Sequence, residues 1–145
     1  MKRVSLIIGL YFAVGSLFAQ DIVEPDSRML ARYSESRVSE LIQENPARID
    51  WMNFELENGY EIIQMDEAKV QDLPFLFTLN LDDKADGVMV QEISEQSFNL
   101  YLYNFKRDQN NDNYYRIGYT GQVLKIQSKR TLVKQYNESK HYENL

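Results

Sequence analysis

The chain contains no cysteine and a single histidine in 145 residues. Without a thiol it can form neither a disulfide nor a thiolate metal site, has no thiol nucleophile, and cannot be anchored through a lipidated cysteine. The one histidine, His141, sits in a polar stretch four residues from the end, where nothing is expected to orient it. It is therefore read as a solvated tail residue rather than as a general base or a metal ligand. A Gly-rich phosphate loop, a Gly-x-Ser-x-Gly elbow and a His-Glu-x-x-His run are also missing. Basic residues are few: 16 Lys and Arg stand against 22 Asp and Glu, a formal charge of −6. No Lys/Arg stripe interrupts the acidic background, so nucleic acid is not an expected partner. These absences leave no catalytic residue and no cofactor to be read from the sequence.

Only one long apolar run is present, and it stands at the start. Met1, Lys2 and Arg3 precede residues 4–18, which carry no charge, and Ala19 and Gln20 follow. A basic start, an apolar core and a small residue at the end are the three parts of a secretory signal peptide. The core is shorter than the roughly 20 residues a membrane-spanning helix needs, and Gly9 and Gly15 interrupt it. Cleavage is expected after Ala19, with a cut after Gly15, where Ala13 would stand at minus three, as the alternative. Contact with the membrane is thus expected only through this segment, before it is removed. Losing 19 of the 145 residues leaves 126, and losing Lys2 and Arg3 leaves 14 basic residues against 22 acidic ones, a charge of −8. That is one domain, large enough for a core without staples. The expected location is the periplasm or the exterior.

The run Ser16-Leu17-Phe18-Ala19-Gln20 resembles the signal ends of exported proteins of Bacteroidota. The mature part, at Asn45-Pro46, residues 51–63 and residues 114–126, resembles uncharacterised small exported proteins of the same bacteria. The resemblance implies export and no particular activity.

Residues 20–26 read as a flexible lead-in, residues 27–138 as a single α+β domain, and residues 139–145 as a frayed tail. Asp26 or Ser27 is expected to cap a first helix reaching Glu44, with Met29, Leu30, Tyr33, Val38, Leu41 and Ile42 at helical spacing. Asn45 caps the next helix and Pro46 suits its first position. Its buried stripe is Ile49, Met52 and Leu56 with Trp51, and Gly59 ends it in a left-handed conformation. The two helices are expected to form an antiparallel hairpin. Beyond Gly59 the apolar period becomes two. Strands are predicted over 60–65, 75–81, 88–93, 98–105, 114–119 and 122–127, with Thr120-Gly121 as a two-residue turn. Ser128 caps a last helix carrying Leu132, Val133 and Tyr136. The expected fold is an N-terminal helical hairpin and a C-terminal helix on a five- to six-stranded, largely antiparallel meander.

Two loops carry oxygen ligands at calcium-loop spacing. Asp82, Asp86 and Gly87 match three positions, but Lys84 and Ile93 fill places where ligands belong. Asp108, Asn110 and Asp112 form the better candidate, although Asp and Asn are ordinary turn residues. Paired carboxylates such as Glu55 and Glu57, or Asp82 and Asp83, could serve a hydrolase acting on cell-envelope or polysaccharide material, but sequence selects no pair. The tyrosines offer a different chemistry. Alternation in the predicted strands places Tyr101, Tyr103, Tyr114, Arg116 and Lys125 on one outer face. A flat aromatic surface with a few cations suits a protein, peptide or glycan partner in the cell envelope. The leading expectation is a non-catalytic exported binding or structural domain, with the hydrolase as alternative.

The exported protein is expected to begin at Gln20. Intact-mass measurement on the native polypeptide checks this; a cytoplasmic species intact from Met1 overturns it.

Overall fold

The computed structural model describes residues 23–76, 98–119 and 121–143. The expected leader, the acidic turn with Asp82, Asp83, Asp86 and Gly87, the strand over 88–93 and most of that over 75–81 lie outside these residues.

Within them the chain is α+β, with four α-helices and one three-stranded antiparallel sheet. The helices are α1 (Glu35–Glu44), α2 (Pro46–Asn58), α3 (Glu67–Val70) and α4 (Lys129–Glu143). The strands are β1 (Tyr60–Gln64), β2 (Asn113–Ile117) and β3 (Gln122–Ile126), in the order β1-β3-β2. This corrects the expected sheet of five to six strands. None of the described helices is long and apolar enough to cross a membrane.

The first predicted helix is two pieces. Asp26 caps a 3₁₀ turn, Ser27–Ala31, by accepting a hydrogen bond from Arg28 N at 2.8 Å. Ser34 then starts α1 afresh, its hydroxyl accepting from Arg37 N at 3.3 Å. Serine competes for backbone hydrogen bonds, which is why the helical period breaks here. The lead-in is tied down as well: Asn53 accepts from Asp26 N at 2.9 Å and donates to Glu24 O at 2.7 Å.

Asn45 serves both flanking helices. Its amide N donates to Leu41 O at 2.8 Å, closing α1, while its side chain accepts from Arg48 N at 3.1 Å, opening α2. Pro46 occupies the first turn, where no amide hydrogen is required. Ile49, Met52 and Leu56 form the buried stripe as expected. Gly59, however, has φ −75°, not a left-handed conformation. What demands glycine is space: a β-carbon there would collide with Glu55 O and meet Arg107 Nη2 at 2.9 Å.

The register pairs Tyr60, Ile62 and Gln64 with Ile126, Leu124 and Gln122, and these in turn with Asn113, Tyr115 and Ile117. That face meets the helices in a core including Met29, Ile49, Leu56, Leu76, Phe98 and Leu124. The β2–β3 connection spans residues 118–121 rather than Thr120-Gly121 alone. Both Gly118 (φ 60°) and Gly121 (φ 74°) adopt the left-handed conformation that favours glycine.

The predicted strand over 98–105 is also corrected. Asn99 accepts from Tyr101 N at 3.0 Å and donates to Arg28 O at 3.0 Å, folding Leu100–Leu102 into a 3₁₀ turn. Phe98, Leu100 and Tyr101 are all buried, which a strand with one face in solvent could not achieve. Tyr103 then stacks on Phe98, with centroids 5.4 Å apart, and Phe105 lies 5.3 Å from Tyr115 on the inner face of the sheet.

Helix α4 continues past the expected end of the domain at residue 138 and reaches Glu143. Its Tyr136 ring meets Trp51 and Phe54 edge-on at 5.0 and 5.2 Å. The Tyr136 hydroxyl donates to Asp50 Oδ2 at 2.6 Å, and Lys140 Nζ donates to Asp50 Oδ1 at 3.1 Å. Burial works against the Asp50 charge, but these two donors outweigh it and hold the carboxyl below its ordinary range. Burial and the same carboxylate push the Tyr136 hydroxyl up to about 12.

A carboxyl lowered on folding stabilises above its unfolded pKa, and this is lost as acid protonates it; a phenol raised on folding stabilises below its unfolded pKa and is lost as base ionises it. The α2–α4 contact should therefore weaken below about pH 4 and again above about pH 10. Asp50→Asn should flatten the acid limb of the melting-temperature profile between about pH 5 and 2, and an unchanged limb counts against this role.

Candidate binding cleft

Four residues of α2 at spacing i, i+3, i+4 and i+7 share one stripe: Arg48, Trp51, Met52 and Glu55. This stripe faces the turn at Leu100 and Tyr101, the extended chain through Tyr103, Phe105 and Arg107, and the pair Arg32-Tyr33 that links the first 3₁₀ turn to α1. Together these segments enclose a cleft of about 270 Å³.

The floor is fixed by Arg107. Its Nη2 donates to Glu55 Oε1 at 3.0 Å, and its Nη1 donates to Gly59 O at 3.1 Å and also to Gln127 O. One guanidinium thus joins the end of α2 to the entry to β1 and the exit from β3. Glu55 Oε2 also lies 3.5 Å from the Tyr101 hydroxyl. Burial first, and then the Glu55 carboxylate, push that hydroxyl well above its ordinary range, and burial raises Tyr103 too. Both phenols therefore remain neutral donors across the physiological range.

The aromatic walls hold one another. Tyr33 meets Tyr101 edge-on at 5.9 Å, and Tyr103 sits in the stack from Phe98 to Phe105. Arg32 has its guanidinium carbon 6.0 Å from the Tyr101 ring. Neither Arg32 nor Arg48 forms an ion pair with any described residue. Three guanidinium groups therefore share the cleft with one carboxylate, in a chain whose overall charge is negative.

The expected outer tyrosine face does not assemble. Tyr101 is buried and Tyr103 is half-buried, both on the core side, because the 3₁₀ turn at Asn99 breaks the alternation that would have turned them outward. Tyr114, Arg116 and Lys125 do share the opposite face of the sheet. There Lys125 lies 3.4 Å from Glu61 and 3.6 Å from Asp112, and the Arg116 guanidinium carbon sits 3.4 Å from the Phe75 ring centroid.

The calcium-like spacing has another use. Asp108 Oδ1 accepts from Asn110 N and Asn111 N, both at 2.8 Å, folding a tight turn. Asp112 Oδ1 accepts from Ser128 N at 2.7 Å. The carbonyls of Asp108 and Gln109 accept from Lys129 N and Arg130 N, and Ser128 Oγ accepts from Thr131 N. The turn thus supplies partners for the free amides at the start of α4. Among the described residues no group of three or more His, Cys, Asp or Glu could hold a metal ion.

His141 is exposed on α4, beside an open groove along that helix. Of the expected carboxylate pair, Glu55 lies in the cleft and Glu57 does not. Glu57 instead joins Glu61 and Glu138 around a depression beside α4. All three are exposed, and Glu61 and Glu138 lie near Lys125 and Lys134 at 3.4 and 3.8 Å. No second carboxylate faces Glu55 across the cleft among the described residues.

Arg32, Tyr33, Arg48 and Arg107 were not singled out by the sequence reading. The available signal was the α2 stripe, where Arg48, Trp51 and Glu55 lie at helical spacing with the buried Met52.

No protein-family model, no curated protein and no solved structure matches this chain.

Arg107→Met should cost about 2–4 kcal/mol, less than a fully buried pair because Glu55 retains some solvent. Denaturant unfolding checks this against Arg37→Met at the exposed pair with Glu40, expected to cost much less because solvent screens that pair. Equal losses would remove Arg107 from this role.

Proposed function

We propose that the mature chain is an exported, non-catalytic binding domain, and that its ligand is a small anion held in the cleft between α2 and residues 100–107. One observation carries this reading. Arg32 and Arg48 stand at a concave aromatic site with no carboxylate partner among the described residues, beside Arg107, which is paired with Glu55. A guanidinium is charged at any physiological pH, and it presents a planar fork of donors that matches the oxygens of an anion. A few convergent polar groups within aromatic walls are the usual make-up of a small-molecule site. Glu55 is occupied by Arg107 and the nearest histidine belongs to another surface, which supports capture over chemistry.

Export supports the same reading from the other side. An acidic surface keeps such a domain soluble, and anions would be drawn to a recess lined by guanidinium groups such as this cleft. The periplasm or the exterior is the proposed compartment, on the strength of the basic start, apolar core and Ala19 of the leader.

Trp51 is the only tryptophan of the chain and lines the cleft, so its emission reports occupancy. Small molecules from an envelope extract, equilibrated with the native protein and recovered with it on gel filtration, should be anionic and should shift Trp51 emission saturably. Recovery of neutral compounds alone, or of none, would end this reading.

A further inference from the structure

We infer that the anion is a sugar acid: a single pyranose ring carrying a carboxylate, either free or at the end of an acidic chain. The inference rests on the binding reading above and adds the ligand's chemistry to it.

Size sets the first limit. A cleft of about 270 Å³ lies just below the range of about 300–1,000 Å³ that suits drug-sized ligands, so it accommodates one ring and not an extended chain. The walls set the second. The aromatic walls would offer a ring apolar contact, and Tyr33 and Tyr103 bring hydroxyls that make no hydrogen bond to a described residue. With the raised Tyr103 phenol held neutral, that wall can donate hydrogen bonds. An unsubstituted aromatic acid would leave these hydroxyls unanswered on entering the cleft, whereas a polyhydroxylated ring offers them partners. The charge sets the third. Arg32 and Arg48 can each present a planar fork of donors that matches a carboxylate. Glu55 is paired with Arg107, so two guanidinium charges remain for the ligand, and it is the hydroxyls of the walls rather than the charge that favour a sugar acid over inorganic phosphate. The same Glu55 can accept from ring hydroxyls.

The test titrates Trp51 emission, with calorimetry in parallel, using methyl glucuronide, methyl glucoside, benzoate and inorganic phosphate. The glucuronide should bind at least tenfold more tightly than each of the others. The double variant Arg32→Gln/Arg48→Gln should lower its affinity about tenfold or more while leaving the melting temperature within a few degrees, since both side chains are exposed. An oligouronate that binds at least as well as the glucuronide also supports the proposal and points to a chain end.

Benzoate or phosphate binding as tightly as the glucuronide overturns the sugar assignment and leaves the anion site standing. Glucoside binding as tightly overturns the acid requirement. If none of the probes binds, this proposal fails, and the broader binding reading fails with it only if the extract experiment is also blank.

Discussion

The guanidinium of Arg107 is the contact on which the arrangement depends. The last turn of α2, the entry to β1 and the exit from β3 all present carbonyl oxygens at one point, and Arg107 answers Gly59 O and Gln127 O while pairing with Glu55. Gly59 O also accepts from Gln127 N at 3.1 Å, so the guanidinium reinforces a junction the backbone already makes and ties it to the Glu55 carboxylate, joining three elements at once. Gly59 is part of the same constraint, because a side chain there would occupy the space that the guanidinium and the α2 carbonyl need. Fixing this junction also fixes the cleft: Glu55 is turned inward, and the chain from Tyr101 to Arg107 is held against α2.

A second constraint seats the C-terminal helix. The turn built on Asp108 places two carbonyls opposite the first amides of α4, Asp112 takes Ser128 N, and Ser128 caps Thr131. The far end is fastened by Asp50 to Tyr136 and Lys140. Pinned at both ends, α4 covers α2 through Tyr136, which packs on Trp51 and Phe54. Trp51 is therefore shared between a structural contact and the cleft wall. Its position depends on the docking of a helix that contributes no residue to the cleft itself.

The cleft gathers positive charge on an acidic protein. Arg107 is committed to structure, whereas Arg32 and Arg48 have no carboxylate partner among the described residues. This division of labour gives the site a rigid floor and a receptive mouth. The aromatic stack from Phe98 through Tyr103 to Phe105 ties the remaining wall to the inner face of the sheet.

Local chemistry was legible from the sequence wherever a single residue decides its own neighbourhood. Asn45-Pro46 marked the joint between α1 and α2, Ser128 marked the start of α4, and the stripe of Ile49, Met52 and Leu56 marked the buried side of α2. Strands β1, β2 and β3 were legible from their period of two. Other features were settled by partners far along the chain. Asn99 binds a carbonyl at Arg28, and that long-range bond turns an apparently alternating strand into a 3₁₀ turn that buries Tyr101. Arg107 looks like any loop arginine until three carbonyl and carboxylate oxygens converge on it. Periodicity states which side of an element is apolar, whereas which side chains meet depends on how elements pack, and that is a property of the folded chain alone.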